Sequence, residues 1–137
     1  MKNTLIVIPT YNEADNIKAI IEELFLISNH YHALIVDDSS PDGTGKLVKN
    51  LFKKYPKRLF LETRLKKEGL GCAYLHAFRW AKLSDYKYIF QMDADFSHNP
   101  MDIPKMEHLF NQGHDVVIGS RYIDGINVVN WPLGRIL

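Results

Sequence analysis

Short apolar runs that alternate with segments of helical period constrain this 137-residue chain more than any other feature. Residues 5–8 (LIVI), 33–36 (ALIV), 59–61 (LFL), 88–92 (YIFQM) and 116–118 (VVI) read as strands, most of them apolar at consecutive positions, as strands buried on both faces are. Helical patterns lie between them. Ile17, Ile20, Ile21, Leu24 and Ile27 mark the first; Leu47, Val48, Leu51 and Phe52 the second; Ala73, Ala77, Trp80 and Ala81 the third; Ile103, Met106, Leu109 and Phe110 the fourth. Asn12, with Asp15 three residues on, is the expected cap of the first helix, and Thr44 that of the second. Such alternation predicts an α/β fold, a largely parallel sheet with helices on both faces.

In a sheet of this kind ligands bind beyond the carboxyl ends of the strands. That rule gathers residues 9–13, 37–45, 93–98 and 119–122 onto one edge. The stretch 88–100, YIFQMDADFSHNP, ends its apolar run in Asp93 and Asp95, separated by the small Ala94. In an extended chain residues two apart project to the same side. Two readings stay open: a pair of hard oxygen ligands for Mg²⁺ or Mn²⁺, completed by a substrate phosphate, or an acidic turn with Asp95 capping. Tyr11 and Glu13 carry an aromatic face and a carboxylate, able to stack on a base and accept its N–H groups, or they belong to a plain strand-to-helix turn. Of Asp37 and Asp38, one can accept from a base or ribose while the other braces the SPDGT turn, or both are turn residues. Arg121 follows Gly119 and Ser120, where a guanidinium either grips phosphate or is solvated, and Arg135 offers the same group. Gly69 and Gly71 precede a helix, but Tyr74 stands where a dinucleotide fingerprint requires glycine, so that motif fails.

Charge and composition remove several classes of function. A net charge of +1 provides no electrostatic footprint for nucleic acid. The single cysteine, Cys72, forms no intrachain disulfide and fits a reducing compartment. No apolar run approaches the roughly 18 residues that span a bilayer, so the expected location is the cytoplasm or the inner face of a membrane. The six histidines lack zinc spacing, with His98 alone beside the acidic pair. No nucleophile elbow is visible. After Tyr122 the pattern lapses, and residues 133–137 look ready to begin another element; residues 1–137 are expected to be one domain cut short at its C-terminus.

Six motifs in this order, PTYNE at 9–13, VDDSSPDGT at 36–44, KEGLGCAY at 67–74, DADFSHNP at 93–100, GSRY at 119–122 and NWPLGR at 130–135, closely resemble family 2 glycosyltransferases, and within them the polyprenyl-phosphate (dolichol-phosphate) mannosyltransferase branch. The resemblance covers essentially the whole chain. It implies a GT-A fold binding a nucleotide-sugar, with Pro9, Tyr11, Glu13, Val36 and Asp38 holding the nucleoside. Asp93, Ala94 and Asp95 would form the DXD element for ribose, metal and diphosphate. Arg121 and Arg135 would bind phosphates of donor or acceptor, with Asp95 and Arg121 the catalytic pair. Some relatives carry Gln where this chain has Ser97, which puts a third side-chain metal ligand in doubt.

The implied reaction transfers a hexose, mannose or glucose, from GDP-mannose or a UDP-hexose to a polyprenyl phosphate at a membrane surface, with inversion at C1 and a divalent metal, Mg²⁺ or Mn²⁺. Negative charge develops on the leaving diphosphate, where the metal and Arg121 would neutralise it. A phosphate acceptor, anionic at neutral pH, needs no general base. Two rivals remain: a domain that holds a nucleotide-sugar without turnover, and a phosphatase or phosphomutase of the DxDx[ST] type. The latter places its acidic loop after the first strand, whereas here it follows the fourth.

Overall fold

The computed structural model describes residues 4–120, and the chain divides into two compact units, Met1–Pro100 and Met101–Leu137. In the first unit the order is β1 (Thr4–Thr10), α1 (Ile17–Ile27), β2 (Tyr31–Asp37), α2 (Thr44–Asn50), β3 (Leu59–Thr63), α3 (Leu70–Ala81) and β4 (Tyr88–Gln91). The strands form one four-stranded sheet in the order β3-β2-β1-β4, with every neighbouring pair parallel. Parallel strands require a crossover, and here each crossover carries a helix.

The consecutive apolar residues of β1 and β2 follow from this arrangement. Leu5, Val7, Leu34 and Val36 point to one face, where they pack with Ala73, Ala77 and Ala81 of α3. The alanines recur every fourth residue, so a stripe of methyl groups lets the helix approach the sheet closely. Ile6, Ile8, Ala33 and Ile35 alternate with them and are fully buried. They occupy the other face, that of α1 and α2, where α1 buries Ile17, Ile20, Ile21 and Leu24 completely. The expected α/β architecture, a parallel sheet with helices on both faces, is thus observed. At the end of the sheet where β2 begins, Arg58 donates to the carbonyls of Ser28 (2.8 Å) and Tyr31 (3.1 Å) and lies over the Phe25 ring.

Three local expectations are corrected. Asn12 does not cap α1, which starts at Ile17 with Asn16 as its cap residue; Asn12 sits at φ 56° in the left-handed region instead. Thr44 is the first residue of α2 rather than its cap, a place taken by Gly43 at φ 88°, where a side chain would be strained. Residues 116–118 form no strand: Val116 and Ile118 are 76% and 83% exposed, and β4 is an edge of the sheet among the described residues. An apolar tripeptide without a ladder partner lacks the backbone bonds that make a strand.

The second unit contributes α4 (Asp102–Asn111), which opens with acidic Asp102 in its first turn and buries Ile103.

Candidate functional site

All four strands run in the same direction, so the loops after β1, β2, β3 and β4 leave the same edge of the sheet. The first two are clasped together. The side chains of residues 40–44 accept the backbone N–H groups of the first loop: Asn12 donates to Ser40 Oγ (2.9 Å), Glu13 to Thr44 Oγ1 (3.1 Å) and Ala14 to Asp42 Oδ2 (3.0 Å). These N–H groups precede α1 and have no helical acceptor, so the second loop supplies one for each. This long-range pairing displaces the local caps expected of Asn12 and Thr44. It also fixes the backbone that presents Tyr11 and Glu13.

Asp37 and Asp38 are both buried, at 3% and 7% exposure. Asp37 accepts from the Thr10 hydroxyl (2.8 Å), the Ser40 hydroxyl (2.6 Å) and the Ser40 N–H (3.0 Å), so it braces the turn. Asp38 is gripped by Arg64, whose Nε and Nη2 donate to its two oxygens at 2.6 and 2.7 Å. Hydrogen bonding to Asp38 holds the Arg64 guanidinium above its ordinary value. Arg64, at the end of β3, reads in the sequence as one charge within a polar stretch, and nothing in its spacing marks it.

The acidic pair after β4 is different. Ala94 is buried at 3%, while Asp95 is exposed and the Asp93 side chain is 39% exposed. Because β4 ends at Gln91, strand alternation does not carry the two carboxylates. A turn does: Asp95 Oδ1 accepts the Ser97 N–H at 3.0 Å, around Phe96 at φ 61°. Burial opposes ionisation of Asp95, but hydrogen bonds from the Ser97 side chain and backbone and from its own N–H outweigh it and leave the carboxyl below the usual range. The Asp93 N–H donates to His98 Nδ1 at 3.1 Å. That contact needs an unprotonated Nδ1 and so fixes the hydrogen on Nε2, which faces Asp93 Oδ2 at 3.9 Å.

Glu13 joins the two halves of the edge. Burial raises its pKa, and after the opposing hydrogen bond from Asn16 the charges of Asp95, Asp42 and Asp93 raise it further. Four carboxylates therefore share one field, an arrangement that a cation would relieve. Tyr74, in the first turns of α3, also senses Asp93: burial and that charge push its phenol up to about 12. In the sequence Tyr74 spoils a glycine motif and closes the KEGLGCAY stretch, and neither marks it as a neighbour of the acidic pair.

Among the described residues no three His, Cys, Asp or Glu side chains come together as a metal cage. Asp93 and Asp95 supply two hard oxygen donors, which is the set a Mg²⁺-like ion uses when water and substrate phosphates complete its shell. Tyr11 is 39% exposed with Lys67 Nζ lying 4.5 Å from its ring centre. Pro9, partly buried, pairs with Val36 in the ladder. Val36 is fully buried in the α3 face of the core and offers no side-chain surface to a ligand. Arg121 and Arg135 lie outside the described residues. Three of the four non-glycine residues at positive φ among the described residues, Asn12, Ser39 and Phe96, fall in these loops, where strained backbone tends to gather at sites of function.

The similarities of this chain to known proteins converge. The model of glycosyl transferase family 2 matches residues 5–136. A polyprenol monophosphomannose synthase of Mycolicibacterium smegmatis is 41% identical over 136 residues, 99% of this chain and 51% of that protein. An undecaprenyl-phosphate mannosyltransferase of Micrococcus luteus is 39% identical over 96% of this chain and 53% of its own length. A dolichol-phosphate mannosyltransferase of Pyrococcus furiosus is 40% identical over 95% of this chain and 36% of its own length. The chain thus spans about half the length of the first two and about a third of the last. A mannosyltransferase from Pyrobaculum calidifontis, solved in complex with GDP-Man and Mn²⁺, superposes with a TM-score of 0.52 at 27% identity, covering 57% of this chain and 24% of that one. With the family model spanning residues 5–136 and relatives near 40% identity along almost its whole length, the chain belongs to glycosyl transferase family 2.

Proposed function

We propose that this chain is the donor-binding part of a glycosyltransferase that moves a hexose, mannose first among the candidates, from GDP-mannose to a polyprenyl phosphate. The observation that carries the reading is the placement of Asp93 and Asp95 just beyond β4 at the carboxyl edge of the sheet, Asp95 exposed and Asp93 partly so, where their charges add to the burial that raises the pKa of Glu13. The names of the relatives, a polyprenol monophosphomannose synthase and two mannosyltransferases acting on lipid phosphates, support the acceptor class. The GDP-Man and Mn²⁺ held by the structural neighbour support the donor and the ion.

In this reading Tyr11 stacks on the nucleobase, its exposed face set by the clasp between the first two loops. Glu13 and Asp38 accept hydrogen bonds from base or ribose. Pro9 and Val36 form the floor beneath, the latter through its backbone alone, and Ala94 leaves room for the ligand between the two aspartates. Asp93 and Asp95 would hold Mg²⁺ or Mn²⁺, which when bound neutralises charge on the diphosphate. Arg121 and Arg135 bind phosphates of donor or lipid, by motif match. A phosphate acceptor attacks C1 from the face opposite the leaving group, which inverts the anomeric centre, and being anionic already it requires no base from the protein. No helix among the described residues is long and apolar enough to cross a membrane; in this reading the lipid phosphate is met at a membrane surface.

Calorimetric titration of GDP-mannose and UDP-glucose into the full-length protein, with and without Mn²⁺ and with Asp95→Asn as control, tests this. Binding of one donor that depends on the metal and is lost in Asp95→Asn is the expected result. A folded wild type that binds neither donor overturns the proposal.

A further inference from the structure

We propose that Arg64 is a positioning residue for donor binding, fixing Asp38 as an oriented acceptor for the nucleoside and tying it to the loop that opens α3. The inference rests on the donor-binding role of Asp38 given above and adds the group that makes this role possible.

Three features of the contact support it. First, it is two-toothed: Nε and Nη2 each donate to a different oxygen of Asp38, so the carboxylate cannot turn about its own axis without breaking a bond. Second, it is covered. The Arg64 and Asp38 side chains are 9% and 8% exposed, which shields the pair from screening and leaves a ligand only the small surface of Asp38 that Arg64 does not occupy. Third, Arg64 is held by its own backbone, its N–H donating to the Asp37 carbonyl at 2.8 Å and its carbonyl accepting from the Ser39 hydroxyl. The guanidinium also reaches the Gly69 carbonyl at 3.4 Å, at the start of α3. One side chain therefore joins the ends of β2 and β3 to the 64–69 loop, whose Lys67 lies over Tyr11.

The chemistry follows from the lone pairs. A carboxylate has about four acceptor positions, and a guanidinium fork uses two of them. What remains accepts only, so Asp38 selects donors: the ring N–H and amino group of a base, or a ribose hydroxyl. The pairing also neutralises Asp38, which would otherwise repel the diphosphate of an approaching nucleotide-sugar. Arg64 itself has both its strongest donors on Asp38 and acts on the ligand through that residue.

The test is steady-state kinetics of the full-length protein with GDP-mannose as varied donor, alongside thermal melting. Arg64→Met is expected to raise the donor KM about tenfold or more, the size of loss found when a charged partner is removed, while kcat stays within about threefold. Arg64→Lys keeps the charge but not the fork, and is expected to recover only part of that KM. In an Asp38→Asn background, Arg64→Met should add less than about twofold, because the two residues act as one unit. Should Arg64→Met fail to fold, Arg64→Lys alone carries the comparison. A donor KM equal to that of wild type in either variant, full recovery by Lys, or additive effects in the double variant overturns the inference. A wild type that binds no donor overturns the functional reading instead, and this inference with it.

Discussion

Two acidic pairs close two parallel strands, and the protein treats them in opposite ways. After β2, Asp37 and Asp38 are buried and every carboxylate oxygen has a protein partner: Thr10, Ser40 and Arg64. After β4, Asp95 is exposed, Asp93 is 39% exposed, and the contacts they receive come from their own short turn and from His98. The same residue type at the same kind of address thus has its oxygens held by protein donors in one place, wholly in Asp37 and in part in Asp38, and presents charge to solvent in the other. A carboxylate at a strand end is available to a ligand only to the extent that neighbouring loops do not satisfy it.

Substitutions can break that contrast. The largest effect on stability is expected at Asp37: Asp37→Ala removes the acceptor of two hydroxyls and an N–H in a buried site, at a cost of about 3 kcal/mol, read from urea unfolding. A wild-type midpoint would mean that the first pair is no more structural than the second. Asp95→Ala should do the converse, changing unfolding by less than about 0.5 kcal/mol while lowering sugar transfer about a hundredfold or more, as loss of a group that steadies developing charge does. A variant that unfolds early, or one that transfers normally, would erase the distinction. Thr44→Val tests the clasp between the loops. It strands the Glu13 N–H and should cost about 1 kcal/mol, with a weakened donor affinity if the clasp sets Tyr11 and Glu13.

The smallest effect concerns pH. The pKa of Glu13 is raised in the fold, so folding favours its protonated form. That contribution is present below the unfolded value and is lost as pH rises through the folded one. Glu13→Gln should therefore melt slightly higher than wild type near pH 7.5 without metal, and the gap should close by pH 4. A gap that widens on acidification would contradict the shared acidic field.

The sheet was legible because burial on both faces leaves consecutive aliphatic residues, as in residues 5–8 and 33–36, and the alanine stripe of α3 was legible because a close-packed helix must be small there. Residues 116–118 show the limit of that signal, since an apolar tripeptide looks the same whether or not a neighbour is available to pair with it. The caps failed for a related reason: Asn12 and Thr44 satisfy the local rule, yet their loops bond to each other across about thirty residues, and a long-range acceptor leaves no trace in local spacing. The aspartates were found as candidates, but their division into braced and exposed depends on Thr10, Ser40 and Arg64, which meet them only in the fold. Tyr74 is not legible as part of the site because its approach to Asp93, nineteen residues on in the chain, exists only in the fold.

The strand order carries a consequence for how the chain acquires its structure. β1 lies inside the sheet, and its partner on one side is β4, so that Thr4 pairs with Tyr88. During synthesis, residues 4–63 can assemble β1, β2 and β3 while that side of β1 remains an open edge with apolar side chains from Leu5 to Ile8. It stays open until β4 emerges, a delay of seconds at about 5–20 residues per second. For that interval the strand that becomes the middle of the core is the place where a nascent chain is most exposed to pairing with another.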